Sequence, residues 1–170
     1  PIIGTQINFK YNDTIGLLPL YALNEEGYKK IIDLSSLSYL KNKELTEPHL
    51  VFDILLDKNE GLSIFSGTIN GLFGQLFDKG KFSEINDLYS KLKSKYNDRF
   101  YIEIQRHGDQ NENGFEKFNL NKSIELEIPI IATNEVFYID KNMHEAHDAL
   151  ICIKNKTYIN EKNRIRFSDQ

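Results

Sequence analysis

The amino-terminal end alternates between apolar runs and turn-forming residues in a way that predicts strands. Ile2 to Phe9 reads as a strand, and Tyr11 to Gly16 supplies turn chemistry through Asn12, Asp13 and Gly16. Leu17 to Leu23 is a second apolar run and reads as a buried strand, although Pro19, which cannot donate to a ladder, would fit better at a sheet edge. The period then lengthens. Asn24 caps a helix whose apolar face is Tyr28, Ile31, Ile32, Leu34 and Leu37, with Glu25 and Glu26 favourably placed in its first turn. Lys41 to Glu47 is a polar linker, and Pro48 starts a short helix carrying Val51, Phe52, Ile54 and Leu55.

Beyond Gly61 the same alternation continues. Leu62 to Ser66 reads as a strand, followed by glycines at 67, 71, 74 and 80 around a helix near Leu72 to Phe77. Phe82 to Tyr96 is an amphipathic helix with Phe82, Ile85, Leu88, Tyr89, Leu92 and Tyr96 on one face. A strand over Phe100 to Gln105, a helix over Phe115 to Leu126, a strand over Ile128 to Thr133 and a helix from Met143 to Ile153 follow. The chain then runs into a basic, extended tail containing Arg164 and Arg166. Strands alternating with helices predict an α/β fold on a parallel sheet, either doubly wound or part of a barrel. The barrel fragment is preferred. The strands number about five, fewer than the roughly eight of a closed (β/α) barrel.

Composition narrows the class. A chain of 170 residues fits one domain, and its 40% apolar and 27% charged content excludes a disordered chain. The net charge of −4 speaks against a nucleic-acid clamp built from this chain, because phosphate binding needs a basic face. The single cysteine, Cys152, excludes an internal disulfide, and no apolar run reaches the roughly 18 residues of a membrane span, so a cytoplasmic protein is expected. The start at Pro1, directly ahead of Ile2 and Ile3, reads as a fragment lacking an upstream element.

Chemistry concentrates downstream. The strand Ile102 to Gly108 (IEIQRHG) ends in Gln105, Arg106 and His107; the next strand ends in Thr133, Asn134 and Glu135; and the last helix opens with His144 and His147. In parallel α/β folds the carboxyl ends of strands carry the site. His107 reads either as a ligand or phosphate contact, or as a histidine hydrogen-bonded across the rim, and the latter is favoured. Arg106 is placed to pair with a carboxylate such as Glu135. His144 and His147 fit first-turn capping and packing better than metal ligation, His49 reads as an ordinary surface or helix-start residue, and Cys152 as a small buried apolar residue. Walker, Rossmann and nucleophile-elbow motifs are absent from the sequence.

Six co-linear blocks support a family comparison: Asn24 to Leu40, Glu60 to Gly67, Asp98 to Gly108, Pro129 to Tyr138, Glu145 to Ile153 and Asn163 to Phe167. Together they resemble the amino-terminal PHP (polymerase and histidinol phosphatase) domain of bacterial DNA polymerase III alpha subunits. The resemblance implies a distorted (β/α)7 barrel, here missing its first strand or strands, with the His-x-His ligand motif upstream of Pro1 and the polymerase palm, fingers and thumb beyond Gln170. In metal-binding relatives the barrel carries up to three ions.

The ligand positions implied by the resemblance are poorly filled in this chain. Gln6 stands where relatives carry glutamate, Leu17 where they carry histidine, Thr68 where they carry cysteine, and Glu135 and Phe137 where they carry aspartate and histidine. Hard divalent cations want charged oxygen or imidazole ligands, so no metal is expected here, with His107, Glu135 and Arg106 as the residual polar group.

Two functions follow from the resemblance. The favoured one is a non-catalytic PHP segment of a DNA-directed DNA polymerase, a Mg-dependent nucleotidyltransferase; this segment docks the proofreading exonuclease subunit and braces the polymerase, while other replicase subunits and DNA engage the parent protein. The alternative is a Zn- or Mn-dependent phosphoesterase or proofreading exonuclease. Neither places the chain in a membrane.

Overall fold

The computed structural model describes residues 1–40 and 47–167; the polar linker read at Lys41 to Glu47 falls almost wholly outside the described residues. The chain divides into two compact units, the first comprising residues 1–105 and 109–133 and the second 106–108 and 134–170.

The first unit is a mixed α/β layer built on a six-stranded sheet of order β3-β1-β2-β4-β5-β6. Its elements are β1 (Gly4–Tyr11), β2 (Thr14–Ala22), α1 (Glu25–Leu40), β3 (Leu50–Val51), α2 (Ile54–Asp57), β4 (Leu62–Phe65), α3 (Leu72–Asp78), α4 (Phe82–Tyr96), β5 (Phe100–Ile104), α5 (Glu112–Leu126) and β6 (Ile130–Ala132). The expected all-parallel sheet is corrected. β1 with β3, β4 with β5, and β5 with β6 are parallel, but β2 runs antiparallel to both β1 and β4.

The turn explains the reversal. Tyr11 pairs with Thr14, leaving only Asn12 and Asp13 in the loop, and Asn12 takes the left-handed φ of 52° that its short polar side chain tolerates. Antiparallel strands accept such a short loop, whereas parallel ones need a long crossover. Lys81 Nζ reaches Asp13 Oδ1 at 2.5 Å, Asn12 Nδ2 donates to Glu84 at 3.0 Å, and Lys79 Nζ donates to Thr14 Oγ1 at 2.8 Å, fastening the hairpin tip to α3 and α4.

Gly16 is not a turn residue. It sits inside β2 opposite Phe9, where a Cβ would lie 2.5 Å from Leu72 Cα, so its bare backbone lets the start of α3 pack directly on the strand. Nor does Pro19 lie on a sheet edge. β2 is flanked by β1 and β4, but its ladder to β4 covers only Leu20 to Ala22, so at Pro19 the strand is paired on the β1 side alone. The helix expected from Pro48 is also corrected: Leu50 and Val51 pair with Phe9 and Lys10, and α2 begins only at Ile54. A short apolar run does not distinguish strand from helix by period, and the free edge of β1 recruits it.

One sheet face makes the core. Ile7 and Phe9 of β1, Leu18 and Leu20 of β2, Leu62 and Ile64 of β4, and Phe100 and Ile102 of β5 are buried with Leu34, Leu72, Phe73, Leu76 and the inner face of α4. In α4 that face is Ile85, Leu88, Tyr89, Leu92 and Tyr96, spaced at three and four residues; Ile85, Leu88 and Leu92 each stabilise the fold by about 1.5–3 kcal/mol through burial. Phe82, expected on that face, is 45% exposed and instead meets Phe77 and Phe118 ring to ring.

The second unit contains α6 (His144–Asn155), a preceding 3-10 turn over Lys141–Met143, and irregular segments on either side.

Candidate functional site

The opposite face of the sheet carries the polar chemistry of the first unit. Side chains alternate along a strand and paired residues share a face. Register therefore sets Gln6, Asn8, Leu17, Pro19 and Tyr21 together on one side of the hairpin, away from Ile7, Phe9, Leu18 and Leu20. Phe65 and Tyr101, paired across β4 and β5, continue this face, and Glu103 follows two residues along β5. The rings form a stripe: Tyr21 to Phe65 is 4.5 Å between centroids and Phe65 to Tyr101 is 5.6 Å.

Glu103 is the residue that the sequence reading passed over. It is buried between Ile102 and Ile104 of β5, and its signal was the lone carboxylate in an otherwise apolar strand core. Its carboxylate accepts a hydrogen bond from the Thr133 hydroxyl and one from Gln105 Nε2 at 3.4 Å. Gln105 Nε2 also donates to Thr133 Oγ1 at 2.8 Å, while the Glu103 backbone N–H donates to Ser66 Oγ at 2.9 Å. The Tyr21 phenol is held above its ordinary pKa, first by burial and then by the Glu103 charge, which disfavours a second anion. This group buffers one buried charge with neutral donors and offers a hydrogen-bonding surface beside an aromatic one.

Of the positions implied as metal ligands, the first unit holds three. Gln6 is exposed, opposite Pro19, and Leu17 is its diagonal neighbour across the hairpin, 39% exposed. The Leu17 carbonyl lies against the Gly67–Gly71 turn, where a Cβ on Gly71 would sit 2.9 Å from it, so the turn bearing Thr68 adjoins Leu17. Gly67 takes a φ of 78°, a conformation suited to glycine. Thr68 serves this turn: its carbonyl accepts from Gly71 N at 3.0 Å and its hydroxyl from Asn70 N at 3.3 Å.

The second unit holds Arg106, His107, Glu135 and Phe137. Arg106 and Glu135 are exposed, and His107 Nε2 is 2.6 Å from Asn134 Oδ1, joining the segments that follow β5 and β6. Phe137 stacks on His147, with centroids 5.1 Å apart and an interplanar angle of 23°, and meets Phe167 at 4.6 Å. The helix-capping role expected of His144 and His147 is corrected: α6 has no side-chain capping bond, and both imidazoles engage aromatic neighbours and the chain's later segment. His49 precedes β3 and bonds the Glu47 carbonyl at 2.8 Å, and Cys152 is buried in α6.

Four of the five positions carry uncharged side chains, and Glu135 keeps a carboxylate. A neutral amide, an isobutyl group, a hydroxyl engaged in its own turn and a stacked phenyl ring supply no compensating charge. Among the described residues no three His, Cys, Asp or Glu side chains converge on a common point. No helix among them is long and apolar enough to cross a membrane.

With a mixed sheet, a strand-end polar group and the six sequence blocks in hand, the class is defined. The chain belongs to the PHP domain family, which matches residues 1–107. Over most of its length it is similar to DNA polymerase III subunit alpha: 34% identical over 153 residues to that of Caulobacter vibrioides, covering 90% of this chain and 13% of the relative. It is 36% identical over 166 residues to that of Rickettsia conorii (95% and 14%), and 29% identical over 167 residues to that of Vibrio cholerae (96% and 14%). The chain thus spans 13% to 14% of the length of these relatives.

Proposed function

We propose that this chain is the PHP segment of a DNA polymerase III alpha-type subunit, serving as a scaffold and docking surface and not as a metal-dependent hydrolase. The carrying observation is similarity to such subunits that continues past the family match at residue 107 through 90% or more of the chain. In this reading residues 1–170 form one PHP domain, part of a distorted (β/α)7 barrel whose strand ends carry the decayed ligand positions. The parent protein is a cytoplasmic DNA-directed DNA polymerase using Mg, acting on DNA within a replicase. Its PHP segment holds the proofreading exonuclease subunit.

The side chains at the ligand positions support the non-catalytic role. Removing charged ligands together with their ions avoids leaving repelling carboxylates in the fold, and Leu17, Thr68 and Phe137 are the neutral replacements. His107, Glu135 and Arg106 are the polar side chains that remain at these strand ends, a smaller set than two-metal Zn or Mn hydrolysis draws on.

The test uses the intact protein. Primer extension with Mg should proceed, the exonuclease subunit should co-purify with the protein and bind it in calorimetry, and elemental analysis should find less than one Zn or Mn per chain. Absence of extension sinks the polymerase assignment; absence of binding sinks the docking role. Stoichiometric Zn or Mn, with phosphodiester hydrolysis lost in His107→Ala, establishes the hydrolase instead.

A further inference from the structure

The second unit contains a linkage between α6 and the segment that follows it. Asp148 of α6 grips Arg164 through two bonds, Nη1 to Oδ1 at 2.5 Å and Nη2 to Oδ2 at 2.6 Å, with side chains only 9% and 6% exposed. Arg166 Nε adds a looser contact to the same carboxylate at 3.8 Å. Three residues beyond Arg164, the Phe167 ring meets Phe137 and His147, and the Phe167 carbonyl lies 3.1 Å from His144 Nε2. The 163–167 segment is therefore fixed at two points by different chemistry, a paired fork and an aromatic stack.

Both anchors sit on α6, and the second needs Phe137. His147 lies between Phe137 and Phe167, with Tyr138 at 5.7 Å on another side, so the stack joins the segment after β6, the first turn of α6 and the later tail. A ring at position 137 stacks on His147 and meets Phe167 at a tilt of 44°, whereas a ligated imidazole would be committed to its ion. We infer that residues 163–167 form a strap closed over α6 by Asp148 and by the Phe137–His147–Phe167 stack, and that the strap holds this unit together without a metal ion.

A protease reads the closure directly. Trypsin must take the Arg164 side chain into its pocket, so cleavage after Arg164 requires the strap to open, and its rate follows the open population. In the intact protein, cleavage after Arg164 is compared with cleavage after Lys93 of α4 in the same digest. Phe137→Leu and Asp148→Asn should each raise the ratio at least about threefold, the scale expected from losing one aromatic contact or one charge-assisted bond. Phe137→Tyr, which keeps the ring, should leave the ratio near that of the unmodified protein, and a chelator should not change it. An unchanged ratio in both Phe137→Leu and Asp148→Asn overturns the strap, as does a chelator that raises the ratio by itself. Equal acceleration at Lys93 and Arg164 in both variants also overturns it, because the strap would then not open separately. These results are independent of polymerase activity and of exonuclease binding.

Discussion

The Tyr89 hydroxyl donates to Asn119 Oδ1 at 2.9 Å, tying α4 to α5 where both side chains are completely or almost completely buried. Tyr89→Phe keeps the ring packed against Phe73 and Phe100 but leaves the amide oxygen without its donor. The cost should be about 1–3 kcal/mol, the penalty for a stranded buried acceptor. Urea denaturation of the two proteins measures it; equal midpoints would show that another donor reaches Asn119.

Gly16→Ala should destabilise the first unit despite adding only a methyl group. The new Cβ would meet Leu72 at 2.5 Å from Cα and 2.6 Å from N, so backbone must move, at a cost on the order of 1–3 kcal/mol. Gly80→Ala is a useful comparison: it has open space around it but a φ of 69°, so any loss there arises from backbone strain alone. Thermal melts showing no loss for Gly16→Ala would mean that α3 does not bear on β2.

Acid should loosen the second unit through Asp148. Its carboxyl is held below the ordinary carboxylate pKa, first by the Arg164 hydrogen bonds and against the opposing effect of desolvation. A depressed folded-state pKa means stabilisation that is fully present above the unfolded-state pKa and lost as pH falls through the folded one. Stability of the unmodified protein and of Asp148→Asn should therefore differ most at neutral pH and converge in acid. Parallel curves through the acid limb would exclude Asp148 as the group responsible.

Replacing Glu103 should be felt by Tyr21. Glu103→Gln removes the negative charge, so the phenol's pKa should fall toward its ordinary value while remaining above it, because burial is the larger cause. Ultraviolet titration against a Tyr21→Phe control isolates that one tyrosine. A Tyr21 curve unchanged by Glu103→Gln would place the carboxylate's influence elsewhere.

Long periodic segments were legible in the sequence, and short ones were not. α4 could be read because five of its apolar positions share one buried face, and β5 because alternation runs through Ile102 and Ile104. α1 was legible in extent but less so in face: Tyr28 and Ile32 are exposed, whereas Gly27 and Ser38 are buried. Periodicity counts apolar residues and does not register that a glycine is buried because another backbone presses on it, here Gly61 on Gly27. The start of β2 escaped for a related reason: Gly16 looked like turn chemistry, when it lies inside a strand that begins at Thr14 and its role is contact with Leu72.

The candidate site was legible as a set of missing ligands more than as a set of present ones. Gln6, Leu17, Thr68, Glu135 and Phe137 could be named from the sequence blocks, but nothing in one dimension showed that Phe137 stacks on His147 or that Arg164 turns back to Asp148. Those contacts join residues 10 and 16 positions apart through irregular backbone, for which no period exists. Glu103 was overlooked because the polar cluster just after it drew the reading toward the strand end.

The two-residue turn at Asn12 and Asp13 also orders events in time. A hairpin so local closes in microseconds and pays little loop entropy, whereas the parallel pairings of β4 with β5 and β5 with β6 must wait for intervening helices. During synthesis β1 and β2 can take up their register while most of the sheet is still unmade. Gly16 then offers bare backbone for α3 to pack against once that helix has emerged.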